Sequence, residues 1–161
     1  MQFSRLQWLF PIAVTLHNSE EAIWMPGWVS RHATQLPMQP PGAAQIRFGL
    51  VVLTAVAWVV TYRTQSKGRG SVWAYLLFGG VVAMLANVFV PHLPASLVFR
   101  SYTPGVVTAV LINLPGMSLL AIRAIGDQWV HGWRAAAFAV AVPLATVAII
   151  PALLVMGRVI F

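Results

Sequence analysis

Five long apolar runs constrain the fold of this chain more than any other feature of its sequence. They cover approximately residues 6–24, 46–62, 72–90, 104–122 and 135–156. At ~1.5 Å per residue, a helix of such a length crosses a hydrocarbon core of ~30 Å, and it satisfies its own backbone hydrogen bonds in lipid. The sequence therefore predicts an all-α fold, a polytopic transmembrane helical bundle of about five spans, with residues 1–161 as a single integral membrane domain.

The composition agrees with a bilayer as the surrounding solvent. Apolar types make up 59% of the 161 residues and charged types 8%, against ~45–50% and ~25% in soluble domains. The ten Lys and Arg residues flank the apolar runs and form no patch with interleaved aromatic residues, so they indicate membrane topology and exclude nucleic acid as a partner. Cysteine is absent, which excludes a disulfide framework, a thiolate metal site and a Cys nucleophile.

The distribution of basic residues predicts an orientation. Six lie on the membrane face where the chain starts and four on the opposite face: Arg5, Arg63, Lys67, Arg69, Arg123 and Arg134 against Arg31, Arg47, Arg100 and Arg158. The positive-inside rule then places the N-terminus in the cytoplasm and the C-terminus outside, in a bacterial inner membrane. The segment 29–45 contains three prolines and is expected to be a loop or a lid, because proline interrupts a helix. Small residues in the fifth span are compatible with a homo-oligomer.

The motif "LHNSEEAIW", Leu16 to Trp24, places two of the three acidic residues of the chain inside the first span. On a helix, His17, Glu20 and Glu21 share a face, and each ionised carboxylate at that depth costs about 2.5–3.5 kcal/mol. Protonation, a basic partner or a bound cation would compensate this cost. No Lys or Arg lies on the helix within reach of the two glutamates. A divalent metal and protonation of the glutamates therefore both remain possible compensations. A third possibility is a polar network with a purely structural role.

Polar residues of later spans lie at the same level of the membrane. His92 is a candidate metal ligand or a loop histidine, and Asn87 and Asn113 either orient a substrate or bond free carbonyls at helix breaks. Tyr102 is a candidate for substrate orientation or an interfacial anchor. Three spans thus direct polar groups to one depth, which predicts that the first, third and fourth helices are neighbours around a cavity, with the second and fifth packed outside.

The motif "HNSEE" resembles the pattern His-x-x-Glu-Glu of the HXXEE domain family of small bacterial and fungal integral membrane proteins. The later histidine, the asparagines and the "YTPG" turn look like additional polar positions of that family. The resemblance covers most of the chain and implies a membrane domain suspected to be enzymatic. It does not choose between metal and acid–base chemistry.

These features together predict a small membrane enzyme that acts on a lipophilic substrate by hydrolysis or isomerisation. Zinc, iron or manganese would be held by His17, Glu20, Glu21 and His92, or the glutamates would act as general acid and base. No nucleotide or haem is expected, because nucleotide-binding motifs are absent and two carboxylates are poor neighbours for a porphyrin. The alternative is a proton- or cation-coupled transporter in which the two glutamates form the ion site.

Overall fold

The computed structural model describes residues 2–36 and 39–161. Its regular structure in those ranges is helical, with no β-strand. A short α1, Phe3–Leu6, leads into five long helices. These are α2 (Leu9–Arg31), α3 (Ala43–Lys67), α4 (Val72–Val98), α5 (Val106–Gly126) and α6 (Gly132–Ile160). The predicted all-α helical bundle is therefore confirmed, and each long helix extends beyond at least one predicted boundary.

Four of the long helices, α3 to α6, are long and apolar enough to cross a membrane. Helix α2 has 23 residues, a length of about 34 Å at the usual helical rise, but its polar motif makes it less hydrophobic. Helix α2 buries His17 and Asn18 inside the bundle, so these two polar side chains face protein rather than lipid.

As the sequence predicts, the proline-containing segment 29–45 is not one continuous helix. Helix α2 continues to Arg31, a single 3-10 turn covers Ala33–Gln35, and α3 begins at Ala43. Pro37 and Met38 lie outside the described residues. The function of this segment as a lid stays a prediction.

The packing order of the helices differs in part from the expected one. Helix α3 packs against α2, α4 and α6, α4 also packs extensively against α6, and α5 contacts α2 and α4 from the other side. The expectation that the first, third and fourth spans are mutual neighbours is confirmed, because α2, α4 and α5 contact one another. The expectation that the second and fifth spans pack outside is wrong for the cavity described below, because α3 and α6 form part of its wall. Close approach of α4 and α6 depends on Gly79, where an added Cβ would lie 2.6 Å from the backbone oxygen of Phe138.

A kink and a π-helical turn interrupt the helices that face the motif. The kink lies within Val88–His92 of α4, and the π-turn covers Ala109–Asn113 of α5. Val90, just before Pro91, leaves the helical conformation (φ −148°, ψ 111°), because proline lacks an N–H and disfavours a helical residue before it. The extra residue in the π-turn of α5 changes which side chains share a face, and π-turns occur frequently at functional sites.

Candidate functional site

Two imidazoles and a carboxylate meet inside the bundle. The Nε2 atoms of His17 and His92 lie 3.7 Å and 3.4 Å from Oε1 of Glu21, and the ligand-type atoms of the three residues all lie within 4.8 Å of one another. Both histidines are buried to 1% exposure, and their rings are perpendicular with centroids 4.9 Å apart. This His17–Glu21–His92 cluster has the residue types and the spacing of a metal site.

The amide of Asn87 lies against the same two nitrogens. Its Nδ2 is 2.9 Å from Nε2 of His17 and 3.1 Å from Nε2 of His92. The kink explains this contact, because Asn87 and His92 are five residues apart and would lie on different faces of a regular α-helix. In a tetrahedral site with bonds of ~2.0–2.1 Å, neighbouring ligand atoms are about 3.3 Å apart. The separations of Oε1 of Glu21 from Nε2 of His92 and Nε2 of His17, 3.4 and 3.7 Å, are close to that value.

A hydrogen-bonded chain fixes the tautomer of His17. The hydroxyl of Thr108 donates to Oε2 of Glu20 at 2.6 Å, and Nδ1 of His17 lies 2.9 Å from the same hydroxyl oxygen. Because the proton of the hydroxyl is directed to the carboxylate, the oxygen accepts from Nδ1–H of His17. Nε2 of His17 then carries a lone pair directed at the cluster, as a metal-binding imidazole requires.

Glu20 is compensated by backbone amides rather than by a metal. Its carboxylate accepts from the backbone N–H groups of Gly105, Val107 and Thr108 at 3.0, 3.4 and 2.9 Å, at the N-terminal end of α5. Free amides and the helix dipole at such an end stabilise a negative charge, a compensation that the sequence reasoning did not include. Glu20 is not part of the group of three potential ligands, His17, Glu21 and His92, and its role as a fourth ligand stays a prediction.

The two glutamates of the motif therefore have different surroundings. Successive residues of a helix are rotated by about 100°, so Glu20 and Glu21 diverge on either side of His17. Glu20 is directed to α5, whereas Glu21 contacts His92 of α4. The sequence analysis expected His17, Glu20 and Glu21 to point the same way from one face of the helix. The divergence of the two glutamates corrects this expectation.

The two remaining predicted residues lie away from the cluster. Tyr102 is 43% exposed and donates its hydroxyl to Oε1 of Glu20 at 2.6 Å. Partial burial raises the pKa of the Tyr102 phenol, and the hydrogen bond to Glu20 raises it further, so the phenol stays protonated as a donor. Asn113 is fully buried at the end of the π-turn of α5, and its amide nitrogen and oxygen have no hydrogen-bond partner among the described residues. Neither residue lines the cavity described below, and their catalytic roles stay predictions.

Sequence reasoning missed Thr108 and Gly105 as site residues. Gly105 has φ +91°, and a Cβ there would lie 2.5 Å from Cε1 of His92 and 2.9 Å from Cε1 of His17. Glycine is therefore required both by the backbone conformation and by the two imidazoles packed against it. The sequence analysis noted the "YTPG" turn, which ends at Gly105, but it assigned this glycine no role.

An apolar cavity of about 530 Å³ adjoins the cluster, within the ~300–1,000 Å³ of small-molecule sites. Residues of α2, α3, α4 and α6 line it, and His17, Asn18, Glu21 and Asn87 are among its polar groups. Asn18, which the helical wheel turns away from the motif, donates to the backbone oxygen of Leu50 and to Oγ1 of Thr54 at 3.1 and 2.8 Å. It thereby joins α2 to α3 beside the cavity.

Comparison with known proteins places this arrangement in a family. Residues 8–120 match the family described as "Protein of unknown function with HXXEE motif". The chain belongs to the HXXEE family. A similar protein is the uncharacterized protein YrkK of Bacillus subtilis (strain 168), which is 32% identical over 111 residues, 69% of each chain. No solved structure matches the chain.

The residues of the site fall within the part of the chain that matches the HXXEE family. The motif itself supplies His17, Glu20 and Glu21, and the same matched range includes His92 and Thr108. In this member, the first and last residues of the motif enter the cluster, and the middle glutamate holds α5 in place. The family resemblance predicted from "HNSEE" is confirmed.

Proposed function

We propose that this protein is a metal-dependent membrane enzyme that hydrolyses a lipophilic substrate. His17, Glu21 and His92 would hold one divalent ion, with zinc as the first candidate and iron(II) or manganese as the others. The observation that supports this function best is the convergence of two imidazole nitrogens and one carboxylate oxygen within 4.8 Å of one another, beside an apolar cavity that His17 and Glu21 line.

The donor set suits a catalytic rather than a structural metal. Catalytic zinc sites use three protein ligands, two histidines and a glutamate among the known sets, and leave a fourth position for water. Two histidines and one carboxylate also suit iron(II). A metal in such a site lowers the pKa of a bound water and makes it a nucleophile at neutral pH, which favours hydrolysis over isomerisation.

The surrounding residues have supporting tasks in this proposal. Glu20 and Thr108 keep Nδ1 of His17 protonated and its Nε2 free, through the contacts of 2.6 and 2.9 Å. Asn87 would present its amide to the metal or to the substrate, because a half-turn of the amide exchanges Nδ2 for Oδ1 at nearly the same place. The cavity would exclude bulk water and admit the substrate from the bilayer.

The test is the metal content of the protein purified in mild detergent without a chelator. We expect about one zinc or iron ion per chain, and its loss in Glu21→Gln and His92→Ala. His131→Ala is the matched control, because His131 is outside the cluster, and this variant should retain the metal.

A folded wild-type protein that takes up no divalent metal would contradict the metal-dependent function. Glu21 and the two imidazoles would then act by proton transfer alone, and isomerisation would be the reaction to examine. Metal retention in Glu21→Gln at the wild-type level would equally exclude the cluster as the binding site.

A further inference from the structure

The cavity extends along the bundle on both sides of the cluster. On α2, its lining starts at Phe10 and ends at Val29, a distance of about 28 Å along the helix. The cluster residues His17 and Glu21 lie between these ends. About 10 Å of cavity therefore extends from His17 towards the start of α2, and about 12 Å extends from Glu21 towards its end.

Both halves of the cavity are lined almost entirely by apolar residues. The half towards the start of α2 includes Val14, Val60, Leu76 and Ala83. The other half includes Met25, Ile46, Gly49, Ile150 and Leu153. A ligand that fills the cavity must therefore bury an apolar segment on each side of its polar group, since apolar surface gains about 25 cal/mol for each Å² removed from water.

The charges of the lining disfavour an anionic group in either half of the cavity. No Lys or Arg lines the cavity in the described part of the chain, and the charged group that does so is the carboxylate of Glu21. A free carboxylate or phosphate in either apolar half, away from the cluster and its proposed metal, would lack a counter-charge and would be buried at a large desolvation cost.

We propose that the substrate is an uncharged ester whose carbonyl group lies between two apolar chains. This inference rests on the proposed hydrolytic function and adds the substrate class to it. The ester would lie along the cavity with its carbonyl group beside His17, Glu21 and Asn87, and with one chain in each half. Water attacks the acyl carbon, the bond from this carbon to the alkoxy oxygen breaks, and one proton of the water passes to that oxygen. The products are one carboxylic acid and one alcohol.

Binding can be measured separately from hydrolysis, by native mass spectrometry of the full chain in detergent. Octyl octanoate is the probe with two chains, methyl octanoate has one chain, and octanoate carries a charge at the end of its chain. We expect octyl octanoate to bind at least about tenfold more tightly than either of the others, because it fills both halves of the cavity.

Two variants fill one half of the cavity each. Ala83→Phe occupies the half towards the start of α2, and Gly49→Leu occupies the other half, where a Cβ meets Cβ of Leu153 at an ordinary distance of 3.7 Å. Each should weaken octyl octanoate binding about tenfold or more. Val140→Phe is the control, because Val140 is 61% exposed and does not line the cavity. Thermal unfolding of each variant distinguishes lost binding from lost folding.

The outcomes separate this inference from the proposed function. Equal binding of octanoate and octyl octanoate, or unchanged binding in both folded cavity variants, would overturn the substrate class. Preferential cleavage of a lysophospholipid by the metal-loaded protein would do the same while leaving hydrolysis in place. Tight two-chain binding without cleavage would support the ligand class and overturn the hydrolytic function.

Discussion

Replacing Gly105 with alanine tests the packing of the two imidazoles against the turn before α5. The backbone there has φ +91°, a conformation that costs a residue with a Cβ about 1–2 kcal/mol. The added Cβ would also lie 2.5 Å from the ring of His92 and 2.9 Å from that of His17, and such overpacking costs about 1–3 kcal/mol. We therefore expect Gly105→Ala to lower the free energy of unfolding by about 2–5 kcal/mol.

Two other glycines separate these contributions. Gly68 has φ +75° and ψ −166°, a conformation essentially restricted to glycine, but an added Cβ would meet nothing within 4 Å, so Gly68→Ala should cost about 1–3 kcal/mol from the backbone alone. Gly116 lies within α5 at an ordinary φ and also has open space around it, so Gly116→Ala should stabilise the protein by roughly 0.5–1 kcal/mol.

The assay is reversible unfolding in mixtures of mild detergent and SDS, followed by circular dichroism, with metal content measured in parallel. Gly105→Ala should be the least stable of the three variants and should lose metal, because the displaced imidazoles no longer converge on Glu21. If Gly105→Ala is no less stable than Gly68→Ala and retains its metal, the close packing of Gly105 against the histidines is wrong.

Three further predictions address the chain of hydrogen bonds, the α2–α3 contact and the orientation. Thr108→Val removes the acceptor of Nδ1–H of His17 and should weaken metal binding about 10–100-fold, measured in competition with a chelator. Thr108→Ser keeps the hydroxyl and should bind the metal as the wild type does. Equal metal affinities of the two variants would contradict the assigned tautomer of His17. Asn18→Leu removes two hydrogen bonds to α3 and should lower the free energy of unfolding by about 1–3 kcal/mol with metal content unchanged; loss of the metal would show that Asn18 also supports the cluster. A tag at Phe161 should be accessible from outside the cytoplasm and one in the loop 64–70 should not; the reverse result would overturn the orientation and leave the site unaffected.

The sequence by itself determined the helices and the central part of the site. Long apolar runs have few folds available in lipid, because each backbone amide must be satisfied within its own segment. The contact of His17 with Glu21 is equally local, since residues four apart lie on one face of any α-helix. These features follow from spacing along the chain, and they were predicted correctly.

Only the tertiary structure decided which partners complete the site. The kink of α4 at Val90 and Pro91 brings His92 and Asn87 together, whereas a regular helix would separate them. The N-terminal end of α5 meets Glu20 and leaves Glu21 to the histidines. Helices α3 and α6 form part of the cavity wall. Their position depends on packing between apolar helices, and the sequences of these helices do not indicate which surfaces will contact one another. Such choices depend on contacts between residues far apart in the chain, and the periodicity of a single helix contains no information about them.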